Sequence, residues 1–249
     1  MDIKLRYPLY NADGSSFSDT RCEQICDVFD MTQKYHNTTI TYRGLQELAT
    51  KNEIFGKSGF DQTASAIRTI FPLLKKLGLI VDYDEVKDFK ASDFFSPKGK
   101  AFVLTHKALM QAQVIDNKPL VRECEEAKSA ILRDGIKYMF ERGDYLDHNI
   151  WLALTFFKFQ GEIIWKEFLY IVFLYDSGLG INEIANKLQE NRSKSVEYRY
   201  ITLEGREIKS TSYSYLKALL IEAGIVRDSQ KGISNTTTKG YEFLNQIQL

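Results

Sequence analysis

Residues 44–51, GLQELATK, set Leu45, Leu48 and Ala49 at the three- and four-residue spacing of a helix with one narrow apolar stripe. GINEIANK at 180–187 repeats the pattern. With Gly44 over Gly180, Leu45 falls on Ile181, Glu47 on Glu183, Leu48 on Ile184, Ala49 on Ala185 and Lys51 on Lys187. Two further echoes follow in the same order: LLKKLGLIVD (73–82) against LLIEAGIVRD (219–228), with Gly78 over Gly224, and SPKGKAF (96–102) against TTKGYEF (237–243). Three ordered echoes mark an internal repeat. The offset is 136 residues in the first (44 to 180), 146 in the second (73 to 219) and 141 in the third (96 to 237), so the second copy carries an insertion between its first two blocks.

In the first copy the pattern predicts a second, longer helix, capped by Asp61, with Ile67, Ile70, Leu74 and Leu77 on one face and Gly78 at its C-terminal end. The counterparts are Tyr213, Leu216, Leu220 and Ala223, followed by Gly224. Aliphatic pairs then start a strand (Leu79 and Ile80, or Ile225 and Val226), and DFFSP or ISNTT returns to a final helix at the Lys-Gly pair. An apolar helix precedes each copy, CEQICDVFDM at 22–31 and FLYIVFLY at 168–175. Three helices followed by a two-stranded hairpin is the winged form of the helix-turn-helix. The expected fold class is therefore mainly α with small β wings (α+β), as two tandem winged-helix domains joined by a helical connection. Residues 1–112 hold an N-terminal arm and the first domain, 113–160 the connection and 161–249 the second domain. Pro72 falls inside the first copy's third helix, where it removes a backbone donor. In the connection, Pro119 opens a helix running to Arg142 that buries Val121, Ile131, Ile136, Met139 and Phe140; Gly143 ends it, and Asp147 caps another through IWLALTFFKF.

Composition adds limits. The chain is 249 residues, 44% hydrophobic and 27% charged, which is globular and large enough for two cores. No run reaches the roughly 18 apolar residues of a spanning helix, and no secretory leader is evident, so no membrane partner and a cytoplasmic location are expected. Cys22, Cys26 and Cys124 form no CxxC or Cys/His cluster, and the first two, one helical turn apart, read as packing residues. With 33 basic and 33 acidic side chains the net charge is zero, so any nucleic-acid surface must be local.

Local candidates lie downstream of the first echo. In a helix-turn-helix the second helix of the motif enters the major groove, and its outward residues are Gln62, Ser65, Arg68 and Thr69 in the first copy and Thr211, Ser214 and Tyr215 in the second. Arg pairs with guanine, Gln with adenine, and hydroxyls with phosphate or base. The insertion, NRSKSVEYRYITLEGREIKS (191–210), alternates like a hairpin and brings Arg192, Lys194, Arg199, Arg206 and Lys209 against three glutamates. Lys98 and Lys100 flank the last helix of the first copy, and Lys4 and Arg6 sit on an extended N-terminal arm suited to a groove. Catalysis has little support. Glu85-Val86-Lys87 and Glu207-Ile208-Lys209 have the ExK spacing of Mg²⁺-dependent nucleases, but each falls in a wing or hairpin rather than on a central strand. His36, His106 and His148 are scattered, and neither GxxxxGK[ST] nor GxGxxG occurs.

ICDVFDMTQKYHNTTITYRGLQELA (25–49), LKKLGLIVDYDEVKDFKASDFFSPKGKAF (74–102) and the closing TTKGYEFL resemble the DNA-recognition part of FokI-type restriction endonucleases of type IIS. That resemblance implies winged-helix subdomains reading an asymmetric site in double-stranded DNA, with cutting by a separate C-terminal nuclease domain. Here the second winged helix runs to Leu249, so the expectation is a specificity module without that nuclease. A separate nuclease or methyltransferase partner would supply the chemistry. No cofactor is expected, and Mg²⁺ only alongside a nuclease. The rival readings are a transcriptional regulator or replication initiator and, from another class, a protein-interaction scaffold.

Overall fold

A computed structural model describes residues 2–6, 17–54, 65–82, 87–143, 148–201, 213–229 and 232–247, with residues 2, 4–6, 65–69 and 215 as backbone alone. It is mainly α-helical with small β elements. The chain divides into two compact units, one of residues 13–145 and one of 1–12 together with 146–249. The helical segment expected as a connection is thereby split between them. Strand β1 (Asp2–Arg6) belongs to the second unit.

The first unit contains α1 (Asp19–Lys34), β2 (Thr39–Ile40), α2 (Tyr42–Lys51), α3 (Ser65–Lys76), β3 (Phe89–Lys90), α4 (Pro97–Val114) and α5 (Lys118–Arg142). Helix α1 buries Cys22, Ile25, Cys26, Val28 and Met31 at three- and four-residue intervals. Helix α1 packs on α4, and the same unit buries Leu45 and Ala49 of α2, Ile70, Leu74 and Leu77 of α3, and a set of rings centred on Phe94. Phe94 lies 5.1 Å from Phe71, 5.3 Å from Phe95 and 6.0 Å from Phe89, ring centroid to ring centroid. Strand β2 pairs antiparallel with β3, and Ile80 bridges Phe95 on the same return segment. Pro72 is accommodated within α3.

Helix α5 buries a stripe different from the expected one. Cys124, Lys128, Leu132, Gly135, Ile136 and Met139 are buried, whereas Val121, Ile131 and Phe140 are only partly covered. Gly135 explains the rotation. A Cβ there would lie 2.9 Å from the Leu77 carbonyl oxygen, so the glycine lets α5 close on the end of α3.

The second unit runs α6 (His148–Gln160), β4 (Glu162–Ile164), α7 (Trp165–Asp176), α8 (Ile181–Ser193), β5 (Glu197–Ile201), α9 (Tyr213–Glu222), β6 (Val226–Asp228), β7 (Ile233–Thr236) and α10 (Thr238–Gln246). Its antiparallel sheet has the order β4-β7-β6. Strand β5 pairs in parallel with β1, Asp2 opposite Glu197 through Arg6 opposite Ile201. The turn and second arm of the expected hairpin lie outside the described residues, and its first arm is the strand β5. Asn191, Arg192 and Ser193 finish α8, β5 takes a strand partner from the N-terminus, and residues 202–212 lie outside the described residues. The outermost strand also enters at a different point: β2 immediately precedes α2, but β4 precedes α7, one helix earlier than the echo of α2. That echo is loose in geometry. Gly44 is the third residue of α2, donating its N–H to the Thr41 cap hydroxyl, whereas Gly180 is itself the cap of α8 and donates to Glu183.

The other two echoes superpose in function down to single atoms. Gly78 and Gly224 end α3 and α9 with φ +68° and +67°, a left-handed conformation cheap only for glycine. The carbonyl of Gly78 accepts the Ser96 hydroxyl at 2.6 Å, and that of Gly224 accepts the Thr237 hydroxyl at 2.6 Å. Each hydroxyl in turn accepts the N–H of the glycine three residues on, Gly99 at 3.0 Å and Gly240 at 2.8 Å, capping α4 and α10. The Ser96 N–H donates to the Leu79 carbonyl, and the Thr237 N–H to that of Ile225. A Cβ on Gly99 would lie 1.8 Å from the Leu79 oxygen, and one on Gly240 2.0 Å from the Ile225 oxygen. Two helix ends and a strand are locked by one hydroxyl and two glycines in each unit.

Replacing Gly99 or Gly240 by Ala forces backbone apart, and each change is expected to cost about 2–4 kcal/mol in denaturant unfolding. Gly180→Ala, at a helix cap with space around it, should cost no more than about 1 kcal/mol. Equal effects at all three positions would remove the clasp from its structural role.

Candidate functional site

Helices α3 and α9, the two helices expected to carry the outward candidates, are buried and ended alike. Each packs one apolar face, with Ile70, Leu74 and Leu77 in the first and Tyr213, Leu216, Leu220 and Ala223 in and just after the second, and each ends in the clasp. Ser65, Arg68 and Thr69 occupy the first two turns of α3, and Ser214 is exposed at the start of α9. Tyr215 follows it, with only its backbone described, and Gln62 and Thr211 lie outside the described residues.

The candidate cations separate into classes. Lys98 donates to Asp134 at 2.5 Å, with its ammonium 5.0 Å from the centre of the Tyr138 ring, and Lys100 is half-buried on the same turn of α4. Lys194 pairs with Glu190 at 2.5 Å and Arg199 with Glu197 at 3.5 Å, all four side chains being exposed. Such pairs are worth about 0–1 kcal/mol and exchange readily for a phosphate. Lys4 and Arg6 belong to β1, so the expected free arm is a strand paired with β5, Lys4 opposite Arg199. Arg206 and Lys209 lie outside the described residues, as do Glu85, Val86, Glu207 and Ile208 of the ExK strings.

Arg192 is engaged within its own unit. It sits near the end of α8, donating from Nε (2.9 Å) and Nη2 (2.7 Å) to the two oxygens of Glu167 and from Nη1 (2.9 Å) to Glu162. Glu167, whose side chain is only 2% exposed, also accepts the Ile164 N–H at 3.4 Å. This fork joins β4, α7 and α8, and the bond to Glu167 chiefly raises the guanidinium pKa. An arginine so engaged ties three elements of the unit together, and turning it to a ligand would leave the Glu167 carboxylate buried without its partner. Its acidic partners stand 25 and 30 residues away, so the local charge count at 191–210 could not reveal them.

Two features were not anticipated. Lys75 pairs with Asp82 and Lys217 with Asp228, so in each unit the segment after the left-handed glycine is tied to the preceding helix. The second is His106, only 2% exposed on α4, with neither ring nitrogen bonded to a described residue. It lines a groove of about 390 Å³ with Asp19, Glu23, Leu109, Met110, Gln113 and Val114. Burial first, and then the charge of Lys128, lower its pKa below the ordinary 6.5, against the opposing effect of Asp19. Its position at four and three residues from buried Phe102 and Leu109 was the available signal.

Other chemistry is sparse. Cys22, Cys26 and Cys124 are free and buried, and burial pushes the Cys26 thiol up to about 12, away from reactivity. Among the described residues no three His, Cys, Asp or Glu side chains are grouped to hold a metal ion, and no helix is long and apolar enough to cross a membrane. No family model, curated protein or solved structure matches the chain.

Arg192→Ala leaves the Glu167 carboxylate buried without its fork and is expected to cost about 3 kcal/mol in chemical denaturation. A cost below about 1 kcal/mol would return Arg192 to the ligand-binding candidates. For His106, the unfolded chain titrates near 6.5 and the folded protein lower, so the unfolded state binds the extra proton as pH falls through that window. Stability should therefore decline as pH drops below about 6.5 and level off under the folded value, and His106→Phe should abolish that component of the slope in urea midpoints.

Proposed function

We propose that the chain recognises duplex DNA through two winged-helix domains acting in cis, with α3 and α9 as the groove-facing helices. The observation that carries this reading is the duplicated arrangement itself: a helix ended by a left-handed glycine, an extended segment, and a return into a hydroxyl-capped helix, closed by the same hydroxyl bonds in both units, with β6 paired to β7 in the second and a single Ile80–Phe95 bridge in the first. The outward residues differ, Ser65, Arg68 and Thr69 in one and Thr211, Ser214 and Tyr215 in the other, so the site read is asymmetric. Base contacts from these residues set specificity at roughly 1–3 kcal/mol each, while Lys100, Lys194, Arg199, Arg206 and Lys209 supply phosphate contacts and salt dependence. Arg192 leaves the contact set, and Lys98 contributes only by giving up Asp134.

The resemblance to type IIS recognition parts extends the proposal to a cytoplasmic restriction or modification system. There this chain supplies specificity and a nuclease or methyltransferase supplies the chemistry, with Mg²⁺ belonging to the nuclease. A scaffold role is the second reading, favoured by the internal pairing of Lys98 and Arg192.

Selection from random duplex DNA followed by sequencing should enrich one asymmetric site. Its log affinity should fall with log salt by about 0.9 for each phosphate contact. Arg68→Ala should relax preference at a limited set of positions; uniform weakening on every sequence would make Arg68 a phosphate ligand. No enriched site, or affinity indifferent to ionic strength, would overturn DNA recognition in favour of the scaffold.

A further inference from the structure

The groove between α1 and α4 of the first unit carries chemistry that DNA recognition does not use. Its walls are Leu109, Met110 and Val114, and its floor is His106. A buried imidazole in either neutral tautomer has one donor and one acceptor, and burying them without partners is costly unless an incoming group or water meets them. On the rim, Asp19 and Glu23 stand one helical turn apart, both exposed and neither ion-paired with a described residue. Asp30 further along the same helix is, by contrast, engaged by Lys107 at 2.5 Å. The two rim carboxylates repel phosphate and attract cations.

The apolar surface does not stop at the groove. Helix α4 runs out with Val114 87% exposed and Ile115, the residue that caps it, 67% exposed. A pocket for a small cation would need only the enclosed part, whereas an apolar ridge continuing past it suits an elongated partner.

We infer that this groove docks a basic amphipathic segment of a partner protein, which seats an apolar side chain against Leu109, Met110 and Val114 and sets an adjoining Lys or Arg on Asp19 and Glu23. A polar group of the same segment then meets His106. A second copy of this chain fits less well, because a twofold contact centred here would bring the same carboxylates towards each other.

The test uses the full chain and three synthetic helical peptides of equal length, patterned Leu/Lys, Leu/Glu and Ser/Lys, with binding read by fluorescence anisotropy at low and high salt. Saturable binding of the Leu/Lys peptide alone is expected. Asp19→Asn combined with Glu23→Gln should weaken it about tenfold and flatten its salt dependence, and Val114→Ser should weaken it without changing the salt slope. These are surface substitutions, and circular dichroism establishes that the variants are folded. The inference is overturned if the Leu/Lys peptide fails to saturate, if the Leu/Glu peptide binds as well, or if both variants leave affinity unchanged. It is also overturned in favour of self-association if ultracentrifugation shows a concentration-dependent dimer that Val114→Ser dissolves. None of these outcomes depends on whether the chain binds DNA.

Discussion

One hydroxyl in each unit, Ser96 or Thr237, donates to a left-handed glycine carbonyl and accepts from a second glycine three residues on. The rest of the architecture depends on that short relay. A helix end leaves carbonyls without partners and a helix start leaves N–H groups without partners, and each needs satisfaction where water is excluded. The relay answers both needs with one side chain. It holds α3 against α4 and α9 against α10, and sets the direction of the strand between them. The glycine at the third position of the following helix is required because a strand carbonyl occupies the space where any Cβ would stand.

The units differ in how the remaining elements are tied to this frame. The first uses rings around Phe94 and the close approach of α5 allowed by Gly135. The second uses Arg192, partly exposed, forked onto the buried Glu167 and the partly exposed Glu162, to bring α8 onto β4 and α7. Aromatic packing tolerates small shifts at little cost, whereas the Glu167 carboxylate, buried, would lose its partner and stay out of water if Arg192 moved away. The second unit therefore has the more exacting geometry around the helix that precedes its insertion.

The helices and glycine stops were legible because they rest on local rules. Leu74 and Leu77 before Gly78, and Leu220 and Ala223 before Gly224, state a buried stripe and its end within one window. What sequence obscured were relations between distant residues. VEYRYITL shows strand alternation, and β5 is a strand, but alternation cannot name its partner, which proved to be β1. Arg192 looked like a free cation because Glu162 and Glu167 precede it by whole elements. In α5, Val121 and Ile131 were the more apolar choices, yet Cys124 and Lys128 turn inward because Gly135 sets the face that meets α3. His106 was visible only as an isolated histidine until the groove beside it was seen.

The pairing of β1 with β5 makes the second unit a composite of both ends of the chain, with the first unit inserted as a continuous block between them. During synthesis, Asp2 emerges long before Glu197, its partner in the ladder, so β1 must wait while about 190 residues are made. The ladder that closes the second unit is thus one of the most distant pairings in the sequence, and it cannot form before Glu197–Ile201 exist.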